Sequence, residues 1–291
     1  MSVVQRFDGW LDNDVSWREA IVVYLVLGLY YTVLLFPVIY LITSTFKTDA
    51  VLFAEKLMLL PPANEFTISN YIDVFTRDEF RDYFVNSTII ATATTVVTLV
   101  VATLGAYGLS RFEFPGHQYM IVGFISSQML PRVLILIPFF TVMFTIGLVD
   151  TYLGIVFAHS VVTVPFAIWL LKGYFDDIPE SLDDAAKMDG CTDIGVLVRV
   201  ILPLSAPGMS VAGFYTFVGS WNDYLFVSML SQSQGTRTLP FGLALFQSAN
   251  AVDWGAVLTA AVITMLPVII LFALVQKYIV AGLAGGGMKG I

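Results

Sequence analysis

The sequence predicts an all-α, polytopic membrane protein with about six transmembrane helices. Composition is the first sign. Of 291 residues, 57% are hydrophobic and only 12% are charged, and mean hydropathy is +0.82. Soluble domains are about half apolar and about a quarter charged. The placement of charge is the second sign. None occurs between Glu19 and Lys47, and none between Asp82 and Arg111. Each gap exceeds the ~20 apolar residues that cross a hydrocarbon core of about 30 Å.

Six spans follow along the chain, at about 20–44, 84–110, 118–136, 152–172, 206–227 and 256–277. Residues 1–18 read as an N-terminal interfacial segment anchored by Trp10 and Trp17. Residues 19–83 hold the first span and an extracytoplasmic loop, and 84–291 form the core transmembrane domain. The first apolar run follows an acidic leader, is longer than a signal h-region and lacks an A-x-A site, so it reads as a retained span. The polar stretch 45–83 reads as an ordered loop with short helices. Small residues at 91, 95, 102 and 106 mark the second span as a packing helix.

Residues 118–149 do not fit two crossings. Arg132, after Pro131, leaves 14 apolar residues before it and 17 after it, and 14 helical residues rise only about 21 Å. One membrane helix bent near Pro131 is expected, continuing as an interfacial helix carrying Phe139, Phe140 and Phe144. Six spans then place both termini and the loop 173–205 on one side. That side holds eight Lys and Arg residues against six opposite, a small excess in the direction expected of a cytoplasmic face. The orientation rests mainly on the loop 173–205.

Net charge is −8 and the sequence pI about 4.6. Such acidity fits either a halophilic prokaryote or simply an acidic extracytoplasmic loop. Cys191 is the only cysteine, which excludes a disulfide framework and a cysteine zinc cluster.

The stretch Asp183 to Gly208 interrupts the apolar runs with two short amphipathic helices. One should begin near Glu180 after Pro179 and stop at Gly190, a residue suited to a left-handed C-cap. Its face at 182, 185, 186 and 189 is small, with one carboxylate. Thr192 can cap a second helix, whose apolar positions Ile194, Leu197, Val198 and Ile201 recur at helical spacing, and Pro203 should end it.

The spacing of DAA, three residues, Gly190, nine residues and VILP resembles the cytoplasmic EAA signature of membrane subunits of bacterial and archaeal ABC importers. Asp184 stands where that family has Glu, and Val200 where it has Ile. FVNSTIIA, RFEFPG, LIPFF, VDTYLG, WNDYL, TLPFGL and the ending MKG are similar to its carbohydrate branch, over roughly residues 60–291. The nearest resemblance is to the second membrane subunit of maltose-type importers. It implies the type I importer transmembrane fold and a permease that forms half of a sugar pathway. A homologous second permease subunit, two ATPase subunits and an extracytoplasmic solute-binding protein would be its partners. Asp184, Ala185, Ala186, Asp189 and Gly190 would then dock on the ATPase, with Leu202 and Pro203 fixing the return into the bilayer. ATP and Mg would sit on that ATPase, with no cofactor on this chain.

Other chemistry is poorly represented. No G-x-x-x-x-G-K-[ST] loop occurs, and neither His117 nor His159 lies in a hydrolase motif, so the chain reads as a non-catalytic subunit. His159 reads chiefly as an interhelical hydrogen-bonding group. Asn86-Ser87 reads as a helix cap at an entrance. Candidate pathway residues are Gln128, Arg132, Trp221, Asn222, Asp223 and Tyr224, because intramembrane polar groups face cavities and sugars lie against aromatic faces. Trp221 recurs with Phe214, Phe217 and Leu225 near helical spacing, for which helix packing is the favoured reading. For Arg132 the competing reading is a place at the outer interface. The competing class is an ion-coupled secondary transporter, which would centre on Asp223 and Arg132; no matching halves are evident.

Overall fold

Four helices are individually long and apolar enough to cross a membrane: α1 (Trp17–Ser44), α4 (Asp78–Arg111), α7 (Tyr152–Asp176) and α13 (Trp254–Gly286). Two further candidate spans are bent pairs. These are α5 (His117–Ser127) with α6 (Arg132–Thr145), bent by 104°, and α9 (Asp193–Leu204) with α10 (Ala206–Trp221), bent by 81°. Short helices complete the order: α2 (Asp49–Leu52), α3 (Ser69–Thr76), α8 (Glu180–Met188), α11 (Leu225–Leu230) and α12 (Leu239–Gln247). This computed structural model describes residues 17–247 and 252–286, apart from Glu55 and Leu57. The interfacial reading of the N-terminus, Trp10 included, falls on residues 1–16, outside that range.

The chain divides into two units. One comprises residues up to Asp73 together with Trp254–Val262, and the other Val74–Asp253 with Ile263–Ile291. The sequence places the corresponding boundary at 83/84. The helix carrying the second apolar run itself starts at Asp78, with Asp78 and Glu79 in its first turn, where acidic groups favour the helix dipole.

In the first unit the polar loop is ordered, as expected. Lys47 is buried; its Nζ donates to the Met58 carbonyl at 2.6 Å and to Ser44 Oγ at 3.2 Å, and lies 4.2 Å from the Tyr40 ring centre. Burial pushes its pKa down. Asn70 Nδ2 ties Thr45 and Lys47 together through their carbonyls.

In the second unit α4, α7 and α10 form the packed centre. Ala91, Ala102 and Ala106 on α4 are fully buried, and small side chains let neighbouring helices approach closely. Two apolar clusters occupy opposite ends of α7. One gathers Tyr107, Leu171, Phe175, Ala186, Leu197 and Ile201, and the other gathers Ile155, Met143, Phe226 and Leu230. Between them Thr98 Oγ1 meets Thr163 Oγ1 at 2.9 Å.

Three sequence expectations need correction. The span 118–136 is not continuous: helix stops at Ser127 and restarts at Arg132, so the bend near Pro131 is a four-residue break. The span 206–227 ends at Trp221, because Asp223 turns the chain and accepts the Phe226 N–H at 2.9 Å to open α11. Pro203 does not end its helix. A π-helical segment, Leu197–Ile201, precedes it and the helix runs on to Leu204. The wider turn accommodates a ring that a regular α-helix would clash with.

Candidate functional site

Two sites on the second unit carry the sequence-predicted residues. The first lies around Gly190. Helix α8 ends in a paired motif: Gly190 N–H bonds the Lys187 carbonyl and Cys191 N–H bonds the Ala186 carbonyl, each at 3.0 Å. Gly190 has φ +86°, the left-handed conformation that this C-cap demands and that glycine adopts without strain. Thr192 Oγ1 then accepts the Gly195 N–H at 3.2 Å, capping α9 as its position predicts. Lys187 Nζ meets Asp193 at 2.9 Å across the turn. That hydrogen bond, reinforced by the Asp193 charge, raises the Lys187 pKa.

This joint is built into the bundle rather than laid on a surface. Ala186 and Asp183 are buried. Arg111, the last residue of α4, donates from Nε to Asp183 at 2.6 Å and from Nη2 to the Ile178 carbonyl at 3.0 Å. Asp184, Ala185, Asp189 and Gly190 are exposed, as is Pro203, while Leu202 is half-buried and Ala186 turns inward. The stripe expected on α9 is rotated. Val196, Leu197 and Ile201 face the core, while Ile194 and Val198 are exposed, because the π-turn breaks the 3.6-residue period. Leu182, Met188, Ile194 and Val198 therefore stand in solvent beside charged neighbours, with Met188 88% exposed. Exposed large apolar side chains rimmed by polar groups are what a protein or membrane contact surface presents. The sequence reading missed Met188 and the clamp pair Arg111–Asp183. The clustering of Arg111 in RFEFPG was its only sign.

The second site is a cavity of about 370 Å³ lined by residues of α6, α7, α10 and the Asp223 turn, including Arg132, His159, Phe166, Phe214, Tyr215 and Asp223. His159 is 3% exposed. Its Nδ1 meets Ser220 Oγ at 2.7 Å, the interhelical bond expected, and its Nε2 lies 3.3 Å from Asp223 Oδ1. Depth is set by Gln128, whose Nε2 donates to the Val162 carbonyl at 3.2 Å. Val162 is ten residues into α7, about 15 Å from its Tyr152 end. The break 128–131 and Arg132 thus lie deep along α7.

Of the six pathway candidates, the cavity gathers Arg132 and Asp223. Gln128 borders a smaller neighbouring space with Phe124 and Trp169. Trp221 is 1% exposed, stacks on Phe217 and donates from Nε1 to the Thr264 carbonyl at 3.1 Å, so it packs the bundle. Asn222 and Tyr224 are exposed, and Tyr224 stacks on Phe241. Asn86 and Ser87 cap no turn of their own helix. Asn86 donates to the Arg237 carbonyl at 2.8 Å and accepts from Tyr152, and Ser87 Oγ accepts the Leu239 N–H that opens α12.

Comparison with known proteins covers both sites. Residues 110–285 match the family described as binding-protein-dependent transport system inner membrane component. The probable ABC transporter permease protein YurM of Bacillus subtilis is 35% identical over 268 residues, covering 92% of this chain and 88% of its own. The trehalose/maltose transport system permease protein MalG of Thermococcus litoralis is 34% identical over 259 residues, covering 88% and 92%. A chain from the crystal structure of a bacterial ABC transporter involved in the import of the acidic polysaccharide alginate aligns with a TM-score of 0.79 at 25% identity, covering 96% of this chain and 98% of that one.

Proposed function

The chain is a binding-protein-dependent transport system inner membrane component, and on that premise we propose how its two sites divide the work. The chain is the permease subunit of an ATP-driven importer of sugars or oligosaccharides. It lines half of the path with the cavity around His159, and it receives motion from a separate ATPase at the joint around Gly190. The ion-coupled alternative has no support among the relatives.

One observation supports the coupling role: Leu182, Met188, Ile194 and Val198 are exposed on either side of the Gly190 turn, and α8 is clamped to the bundle through Arg111. A force applied there reaches α4 directly. Closure of two ATPase subunits would rock the transmembrane helices, giving alternating access. Asp184, Ala185, Asp189 and Gly190 lie on the exposed side and belong to this docking surface; Leu202 and Pro203 shape the return of the chain into the bilayer. The Gly190 end is then cytoplasmic, and the Asp150 end faces the solute-binding protein. ATP and Mg belong to the ATPase, and this subunit performs no covalent chemistry.

The test is co-purification of the native chain and a Gly190→Val variant with the second membrane subunit and the ATPase, after equal membrane insertion has been verified. Capture by the native chain and loss in the variant supports the joint. Absence of capture by either, with both partners present, removes the reading. The relatives named above include carriers of trehalose or maltose and of an acidic polysaccharide, so resemblance leaves the charge of the sugar open.

A further inference from the structure

We infer that Arg132 reads an anionic group on the permeant, so that the saccharides passing this cavity are acidic; the inference rests on the importer reading above. A guanidinium stays charged at any accessible pH. Within a membrane such groups face a cavity or the bundle interior and pair with a counter-charge or with backbone carbonyls. Arg132 begins α6 at the break in the bent pair, deep along α7, and lines the cavity. Among the described residues, carboxylates pair with Arg77, Arg81 and Arg111, and none pairs with Arg132. The cavity's own carboxylate, Asp223, is already engaged. It accepts the N–H groups of Phe226 and Val227 and faces His159 Nε2 at 3.3 Å.

The donors of Arg132 are therefore uncommitted among the described residues, in a space whose mostly apolar wall includes the rings of Phe166, Phe214, Tyr215 and Phe226. Phe166 and Tyr215 lie with centroids 4.1 Å apart, and Phe214 lines the same wall. Flat apolar faces suit the C–H faces of sugar rings, and a forked cation suits a planar carboxylate bidentately. The volume, about 370 Å³, lies within the usual range for small-ligand sites. Rings plus one unpaired fork describe a saccharide that carries carboxylates better than a neutral one. A neutral sugar would leave the arginine without a counter-ion when the pathway is loaded.

The assembled membrane complex, without its binding protein, is reconstituted in nanodiscs. Binding is then measured calorimetrically for a uronic acid disaccharide and for the same disaccharide with its carboxylates reduced to alcohols. The acidic form should bind about tenfold more tightly, the equivalent of one charge-assisted hydrogen bond. Arg132→Gln should erase that preference, chiefly by weakening the acidic form, and Arg132→Lys should restore part of it. Equal binding of the two forms, undetectable binding of both, or a preference that survives Arg132→Gln overturns the inference. If Arg132→Gln instead loosens the two membrane subunits without changing any preference, its counter-charge belongs to the neighbouring subunit, and the inference again fails. ATPase capture depends on the Gly190 joint and not on Arg132, so failure here leaves the permease reading standing.

Discussion

Arg111 and Asp183 form an ion pair in which each side chain is only 7% exposed. They lie 72 residues apart in sequence and join the end of a transmembrane helix to α8, the helix before the Gly190 turn. Buried pairs contribute little net stability against an apolar substitute, yet removing one partner strands a charge at a cost of about 3–5 kcal/mol.

The pair predicts an asymmetric double-mutant cycle. Arg111→Met and Asp183→Leu should each lower the melting temperature of the purified chain strongly, and the double variant should recover much of the loss. In the assembled transporter the double variant should still capture the ATPase but show a lower ratio of transport to ATP hydrolysis. Retention of the native ratio would make the pair merely structural.

Gly190 predicts a conformational effect separate from a steric one. An added Cβ would meet nothing within 4 Å, so only φ +86° penalises a side chain there. Asn, which tolerates left-handed backbone, should cost a few tenths of a kcal/mol, while the β-branched Val should cost about 1–2 kcal/mol. ATPase capture should follow the same order.

Gly208 predicts the opposite case. A Cβ on this residue would lie 2.5 Å from Cγ of Tyr174, at the root of the ring where little can give. Gly208→Ala should destabilise by about 1–3 kcal/mol through overpacking of α10 against α7. Pairing it with Tyr174→Ala should relieve the strain in a thermal denaturation assay.

Asp150 predicts a pH dependence at the other end of α7. Its carboxylate accepts from Thr236 Oγ1 and from the N–H groups of Gln232 and Ser233. Burial pushes its pKa up, but these bonds outweigh burial and hold it at about 2. The folded value lies below the unfolded one, so the stabilisation is fully present above about pH 4 and is lost as pH falls through about 2. Native protein should exceed Asp150→Asn in stability by roughly 1–2 kcal/mol at neutral pH, allowing for partial exposure. That gap should close on acidification, as followed by melting at a series of pH values.

The helices were readable wherever one apolar run met one span, as in α1, α4 and α7. Local chemistry was readable too: Gly190 as a left-handed cap and Thr192 as an N-cap rest on single-residue preferences. What escaped depends on contacts distant in sequence. Nothing local to Asp183 shows that it is buried; α4 brings Arg111 to it. Trp221 and Asp223 sit two residues apart in one motif, yet one packs on Phe217 while the other opens a helix and lines a cavity. The π-turn at 197–201 rotated the face of α9 in a way that a fixed 3.6-residue period cannot express.

The break between α5 and α6 bears on how the chain is made. With 11 and 14 residues, these helices rise only about 16 and 21 Å, and neither alone matches the thickness of the hydrocarbon core. Insertion machinery reads a nascent segment by its length and hydrophobicity, and only the two halves together meet that threshold. The 104° bend would then follow insertion, since Leu136, Phe139 and Phe140 pack against residues of α11 and the head of α7, which emerge later in the chain. A nascent chain stalled before α11 would hold this segment inserted but unbent.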